Sequence, residues 1–232
     1  MKGSEALKRL RGGNQRFVND MRTYPHQNSQ RLQELAEGQY PFATILSCSD
    51  SRVPPEHIFD VGLGDLFVVR VAGNVCGKFE IGSLEYAIEH LSTSLLVVMG
   101  HTSCGAVRTA VQQSGTGRDP TGILSKIAPV VTRTRQKYPK LIGIRFITSV
   151  IYENIWQSTE DILRYSSVIR DRVRNKNLDL AGALYDIENG SVEWLIPLLQ
   201  PEQLVQTSNV RVSRGNKIPL WRGRFSFSSR FR

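Results

Sequence analysis

The apolar residues of this chain follow two periodicities. Nearly unbroken short runs occur at FATILS (42–47), DLFVVRVA (65–72) and LLVVMG (95–100). Each is bounded by Pro, Gly or a polar loop and is too short for a helix, so each predicts a strand buried on both faces. Between the second and third runs, FEIGSLEYAIEHL (79–91) repeats Leu84, Ile88 and Leu91 at helical spacing, and a further helix is predicted to begin at Gly105. Helices are also predicted over 122–138 and 158–176. The latter opens on Ser158-Thr159 and Glu160-Asp161, residue types that cap a helix N-terminus and complement its dipole. Residues 4–20 place Leu7, Leu10 and Phe17 near helical spacing behind Ser4, although Gly12-Gly13 interrupts the pattern. A second short helix runs through SQRLQELAEG and ends near Gly38. LAGALYDI, ENG and SVEWLI (180–196) read as a hairpin turning at Asn189-Gly190, a pair suited to positive φ. Strands alternating with helices predict an α/β fold, with a mostly parallel central β-sheet flanked by helices and an edge strand from the C-terminal hairpin. Residues 201–232 lack periodicity and read as a tail or an arm.

Composition adds three constraints. The 232 residues suit one large domain with an appendage, here 1–200 followed by 201–232, and their 40% apolar and 22% charged content is ordinary for a globular protein. The net charge of +9 is unevenly placed. From Pro201 onward one acid, Glu202, faces seven bases, so the tail carries +6 and the rest only +3. The basicity therefore belongs to the appendage, and a nucleic-acid face on the whole fold is not expected. No apolar run approaches the 18 residues of a membrane span, and MKGSEALKRLRGG has no apolar signal core, so a cytoplasmic location is expected. The three cysteines, Cys48, Cys76 and Cys104, are an odd number without a secretory signal. That argues for thiols used as thiols rather than a disulfide framework.

Two polar stretches then stand out, CSDSR at 48–52 and GHTSCG at 100–105. In an open parallel sheet, ligands gather outside the carboxyl ends of the strands. Cys48 follows the first predicted strand by one residue, His101 directly follows the third, and Cys104 lies three residues on. Two thiolates and one imidazole make a zinc site with an open fourth position, and no C-x-x-C pair is present to close a structural one. Taken singly, the same residues also fit small buried thiols and a hydrogen-bonded core histidine, and spacing alone leaves both readings standing.

CSDSR together with GHTSC resembles the β-class carbonic anhydrases. The likeness extends, in the family's order, through LKRLRGGNQRFV (7–18), LAEGQYPFATILSCSDSRVPPEHIFDVGLGDLFVVRVAGNV (35–75), GSLEYAIEHL (82–91) and GALYDIENGSVEWL (182–195). It covers about 5–197 and leaves out the tail. It implies one Zn²⁺ per chain held by Cys48, His101 and Cys104, with Asp50 and Arg52 as the family's paired dyad. A carboxylate two residues from a ligand can reach the metal or the nucleophile, and the planar fork of an arginine can hold it with two hydrogen bonds. The resemblance further places Gln39, Phe67, Val71, Tyr86 and Gly105 around CO₂ or bicarbonate. The family's regulated subtype carries a tryptophan three residues before the first cysteine ligand. Here that position is Ile45, although Arg70 matches another member of the regulatory site, so an open site with Asp50 off the metal is expected. The resemblance also implies a homodimer or dimer of dimers, with N-terminal helices reaching across and pocket walls drawn from both chains. His57 is a possible proton relay or simply a loop histidine, and Cys76 reads as a buried free thiol.

The activity implied is zinc-dependent reversible hydration of carbon dioxide to bicarbonate and a proton. A hydrolase of carbon disulfide or carbonyl sulfide on the same zinc, and a non-catalytic scaffold, are the alternatives. The tail could contact a neighbouring subunit or an acidic partner, and a carbon-fixing compartment is a second possible location. Two thiolates cancel the charge of Zn²⁺, so such a site acidifies water less than a three-histidine site does. Stopped-flow CO₂ hydration should therefore rise on the alkaline side of neutrality, and a flat profile from about pH 6 to 9 would contradict that reasoning.

Overall fold

Every side chain of β1 (Ala43–Ser47) and of β3 (Leu95–His101) is buried, as a parallel sheet covered on both faces requires. In the computed structural model, which describes residues 1–114 and 122–195, the two strands lie side by side with Ser47 opposite Met99. Strand β2 (Leu66–Arg70) pairs parallel with the other side of β1, and β4 (Asp179–Tyr185) pairs parallel with β3. The short β5 (Val192–Trp194) adds antiparallel to β4, giving the order β2-β1-β3-β4-β5. The predicted hairpin thus forms, with Gly190 at φ 77°, and its second arm is the edge strand.

Alternation along the strands sorts two cores. Leu46, Leu96, Val98, Leu180 and Leu184 face one side. They pack against residues of α4 (Lys78–His90), α5 (Gly105–Gln113), α6 (Ile123–Lys137), α7 (Gly143–Tyr165) and α8 (Ser167–Arg174). Ile45, Leu95, Val97, Met99, Ala181 and Ala183 face the other, against α1 (Gly3–Val18) and α3 (Pro55–Ile58). Between α1 and β1 lies α2 (Ser29–Glu34), which has no buried residue. No helix among the described residues is long and apolar enough to cross a membrane.

Two sequence expectations need correction. The break expected at Gly12-Gly13 does not occur: α1 is continuous, and Gly13 is a packing notch, since a Cβ there would sit 1.7 Å from the Phe59 carbonyl oxygen. The helix expected over 158–176 is two helices. The buried stripe of α7 begins at Phe146 and continues through Val150, Ile151, Asn154, Ile155, Ser158 and Thr159, so Ser158-Thr159 lies in mid-helix. The N-cap is instead Ser166, whose Oγ accepts the Ile169 N–H at 3.0 Å and opens α8. The tail at 201–232 lies outside the described residues.

Buried polar groups tie the N-terminal segment to this frame. Asn14 of α1 donates to the carbonyls of Ile58 and Gly190, at 3.2 and 2.8 Å, and accepts the Val192 N–H at 2.9 Å. Asp65 accepts from Arg9, His26 and the Gly62 N–H. Asp60 accepts from Arg16 Nε at 2.5 Å, from the Thr23 hydroxyl, and from the N–H groups of Thr23 and Tyr24. Burial pushes the Asp60 carboxyl up, but Arg16 and those donors more than offset it and hold it below the usual range. A carboxylate depressed in this way adds stability that is complete above its unfolded pKa of about 3.9 and is lost as pH falls through the lower folded value. Asp60→Asn should therefore cost about 1.5–3 kcal/mol in urea denaturation at pH 7. The gap to the parent should close in acid; a gap that stays constant down to about pH 2 would rule out this origin.

Candidate metal centre

The parallel pairing of β1 with β3 brings the carboxyl ends of both strands to one edge of the sheet. Cys48 directly follows β1, His101 is the last residue of β3, and Cys104 is the N-cap of α5. All three are at least 97% buried, and one donor atom from each lies within 4.8 Å of the others. Nδ1 of His101 lies 2.9 Å from the Thr102 carbonyl oxygen. A carbonyl only accepts, so Nδ1 carries the proton in the neutral ring and Nε2 presents its lone pair to the sulfurs. That Nε2 is buried and has no hydrogen-bond partner. Thr102 is fixed in turn, its N–H donating to Tyr185 and its hydroxyl to Asp186.

Of the two sulfurs, Cys48 is the one held where negative charge is favoured. The Cys104 thiol donates to Cys48, and although burial works against ionisation, the N–H of Gly73, at 3.2 Å, joins in holding Cys48 well below the usual thiol range. The Cys48 thiolate and burial push Cys104 up, although the first N–H groups of α5, at Ala106 and Val107, favour its ionised form. The pair therefore shares one proton that a bound dication would displace. Two soft sulfurs and one aimed imidazole nitrogen, buried and orphaned, match the donor set of zinc, and of the described residues only these three form such a group.

Asp50 stands outside that group, its Oδ2 3.8 Å from His101 Nε2. Arg52 grips it at two points, Nε to Oδ1 at 2.9 Å and Nη2 to Oδ2 at 2.7 Å, and the Arg52 N–H adds a third bond at 3.0 Å. These bonds, Arg52 first, hold the Asp50 carboxyl far below the usual carboxylate range despite its partial burial.

The other expected residues divide. Val71 packs against the core that contains Cys48 and Cys104, and its N–H bonds the Ser47 carbonyl. Gly105 opens α5, and a Cβ there would meet nothing within 4 Å. Phe67 and Tyr86 meet with ring centroids 6.1 Å apart, yet Tyr86 is 48% exposed. Gln39 lies exposed before β1 and bonds none of the others, and His57 is an exposed residue of α3. Cys76 is a buried free thiol, as expected, pushed up to about 12 by burial and the nearby Glu80 and Asp161. The sequence reading tied Arg70 only to a regulatory site. Its guanidinium holds the CSDSR loop by bonding the carbonyls of Cys48, at 3.1 Å, and Asp50, at 2.7 Å. It also missed the roles of Gly73 and Thr102, which act through backbone groups.

Comparison with known proteins gives concordant matches. The family described as Carbonic anhydrase matches residues 43–192. Carbonic anhydrase 2 of Mycobacterium tuberculosis is 37% identical over 189 residues, which is 80% of this chain and 89% of that one. The carbonic anhydrase of Mycolicibacterium smegmatis is 35% identical over 188 residues, covering 81% and 91% respectively. Among solved structures, the β-carbonic anhydrase CcaA superposes with a TM-score of 0.67 at 28% identity, covering 86% of this chain and 98% of that one.

Proposed function

This chain belongs to the β-class carbonic anhydrase family, and on that premise we propose how its residues share the work of the family's reaction. It is a zinc-dependent lyase that reversibly hydrates carbon dioxide to bicarbonate and a proton. Cys48, His101 and Cys104 would hold the ion. Zinc, when bound, supplies the Lewis acidity that makes water a nucleophile near neutral pH.

The observation that carries the rest is the two-point hold of Arg52 on Asp50. A free carboxylate beside three ligands would take the fourth position itself. Gripped by Arg52, Asp50 keeps out of it and presents an ionised oxygen beside His101 Nε2. There it accepts a hydrogen bond from the attacking water and orients the water's lone pair toward CO₂. Arg70 keeps the loop that carries both Cys48 and Asp50 in one shape. Val71 and the open space over Gly105 leave an apolar berth for a small apolar substrate.

Gln39, Phe67 and Tyr86 complete that berth in a homodimer. Three features support this. Strand β2 is a half-buried edge strand of sequence LFVVR with no strand among the described residues on its outer side. Beside it Phe79 is 82% exposed and borders a shallow groove with Phe67, Gly82 and Tyr86. Leu32 of α2, at 58% exposure, and Tyr40, at 83%, present further apolar surface that no described residue covers. On this reading the catalytic domain spans 1–200 and its N-terminal helices make the dimer contact. The basic 201–232 segment is an appendage for a neighbouring subunit or an acidic partner, and the enzyme works in the cytoplasm.

Two variants test these assignments. Arg52→Ala should leave one zinc per chain but lower stopped-flow CO₂ hydration by roughly 10–100-fold, because Asp50 is released toward the metal. Unchanged activity at full zinc content would remove Asp50 and Arg52 from the mechanism. Phe79→Glu, at an exposed position, should keep the parent's circular dichroism while light scattering shows a monomer with lost activity. A fully active variant of unchanged mass would place the dimer contact elsewhere.

A further inference from the structure

Two successive residues after β2, Gly73 at φ 73° and Asn74 at φ 42°, adopt left-handed backbone within a single turn of 3-10 helix at Ala72–Asn74. Left-handed geometry is readily available to glycine and strained for most other residues, with asparagine among the more tolerant. A glycine is also required by space, because a Cβ at position 73 would lie 2.8 Å from Ile127 Cδ1. A turn this short has little internal reason to keep one shape, with few backbone hydrogen bonds of its own beyond that from the Asn74 N–H to the Val71 carbonyl. Yet the direction of its Gly73 N–H matters, since that group donates to the Cys48 sulfur.

The turn is fastened from outside by α7. Asn154 Nδ2 donates to the Gly73 carbonyl at 2.7 Å, and Ser158 Oγ donates to the Asn74 carbonyl at 2.8 Å. The two donors are one helical turn apart on the same face, and each residue is only 2% exposed. Placing an amide and a hydroxyl in the core is unfavourable unless each has a partner, and these two find theirs on consecutive peptide groups of the same turn. Between them Ile155 lies so close to Gly100 that a Cβ there would sit 2.7 Å from its Cγ1, which docks α7 against β3 just before His101.

We propose that Asn154 and Ser158 are positioning residues for the metal centre, locking the Gly73–Asn74 turn so that the Gly73 N–H stays aimed at the Cys48 sulfur. An N–H held on a thiolate draws charge from it, so Cys48 donates less electron density to an ion and the ion keeps more of its positive charge. The two α7 side chains touch neither the ion nor the substrate and act only through that turn. This rests on the reading of Cys48, His101 and Cys104 as zinc ligands.

The test exchanges zinc for cobalt(II) in the full-length protein and reads the sulfur-to-metal charge-transfer band, together with the rate of zinc release to a chelator. Asn154→Ala should move the band to lower energy, as expected of a more electron-rich thiolate, and, because that sulfur is less firmly placed and more readily protonated, speed zinc release by roughly 10–100-fold. Ser158→Ala, a smaller change that guards against a folding defect in the first variant, should move both in the same direction by less. Thr159→Val is the control. Its buried hydroxyl bonds only the Ile155 carbonyl of its own helix, so it should lose stability without moving the band. If both variants lose stability while band and release rate stay at the parent values, or if Thr159→Val shifts the band equally, positioning is overturned and the residues are merely structural. If the parent itself shows no thiolate band, the metal reading has failed and this proposal falls with it.

Discussion

The parallel pairing of β1 with β3 is the constraint on which the rest depends. It sets Ser47 opposite Met99 and so delivers Cys48 and His101 to one edge of the sheet from positions far apart in sequence. Once that edge is fixed, Cys104 arrives as the first turn of α5 forms, with the N–H groups of Ala106 and Val107 beneath its sulfur. The pairing in turn requires both faces to be covered, because neither strand has a polar side to show to water. The helices on each face thus maintain the site indirectly, by keeping the two strands in register.

The polar groups around the site follow one logic. Each chemically active atom is fixed by a partner that leaves it one role. Thr102 takes the Nδ1 proton of His101 and frees Nε2, Arg52 takes both oxygens of Asp50, and Gly73 donates to Cys48. Arg70 does the same for the backbone, occupying two carbonyls of the loop that carries Cys48 and Asp50. Burial makes such arrangements demanding, because an unpartnered group in the core is costly. The orphaned Nε2 of His101 is the exception among the ligand atoms, a donor whose one remaining role is to bind a metal ion.

What could be read in the sequence and what could not divide along physical lines. The three apolar runs were legible as strands because burial on both faces leaves no polar interruption, and the ends of those strands then located Cys48, His101 and Cys104. Asp50 and Arg52 entered through the family resemblance, whose motif records them because their side chains do the pairing. Gly73, Thr102 and the loop-holding role of Arg70 were not legible, since N–H and carbonyl contacts leave no signature in residue type. Gly12-Gly13 misled because a glycine needed for close approach to Phe59 looks the same in sequence as one that ends a helix. Ser158-Thr159 misled for a related reason: hydroxyls facing inward from mid-helix resemble an N-cap until their partners are known.

Asn14 shows that the borders of the family model's match and of the folded unit differ. The matched region runs from 43 to 192, so α1 falls before it. Yet the one amide of Asn14 satisfies the buried carbonyls of Ile58 and Gly190 and the N–H of Val192, joining the chain's first helix to a loop in the middle and to its last hairpin. A fragment cut to the matched borders would keep every candidate ligand and still strand two buried carbonyls and open the cover over one face of the sheet. The stretch that the family model matches is therefore shorter than the sequence needed to give this protein a shape.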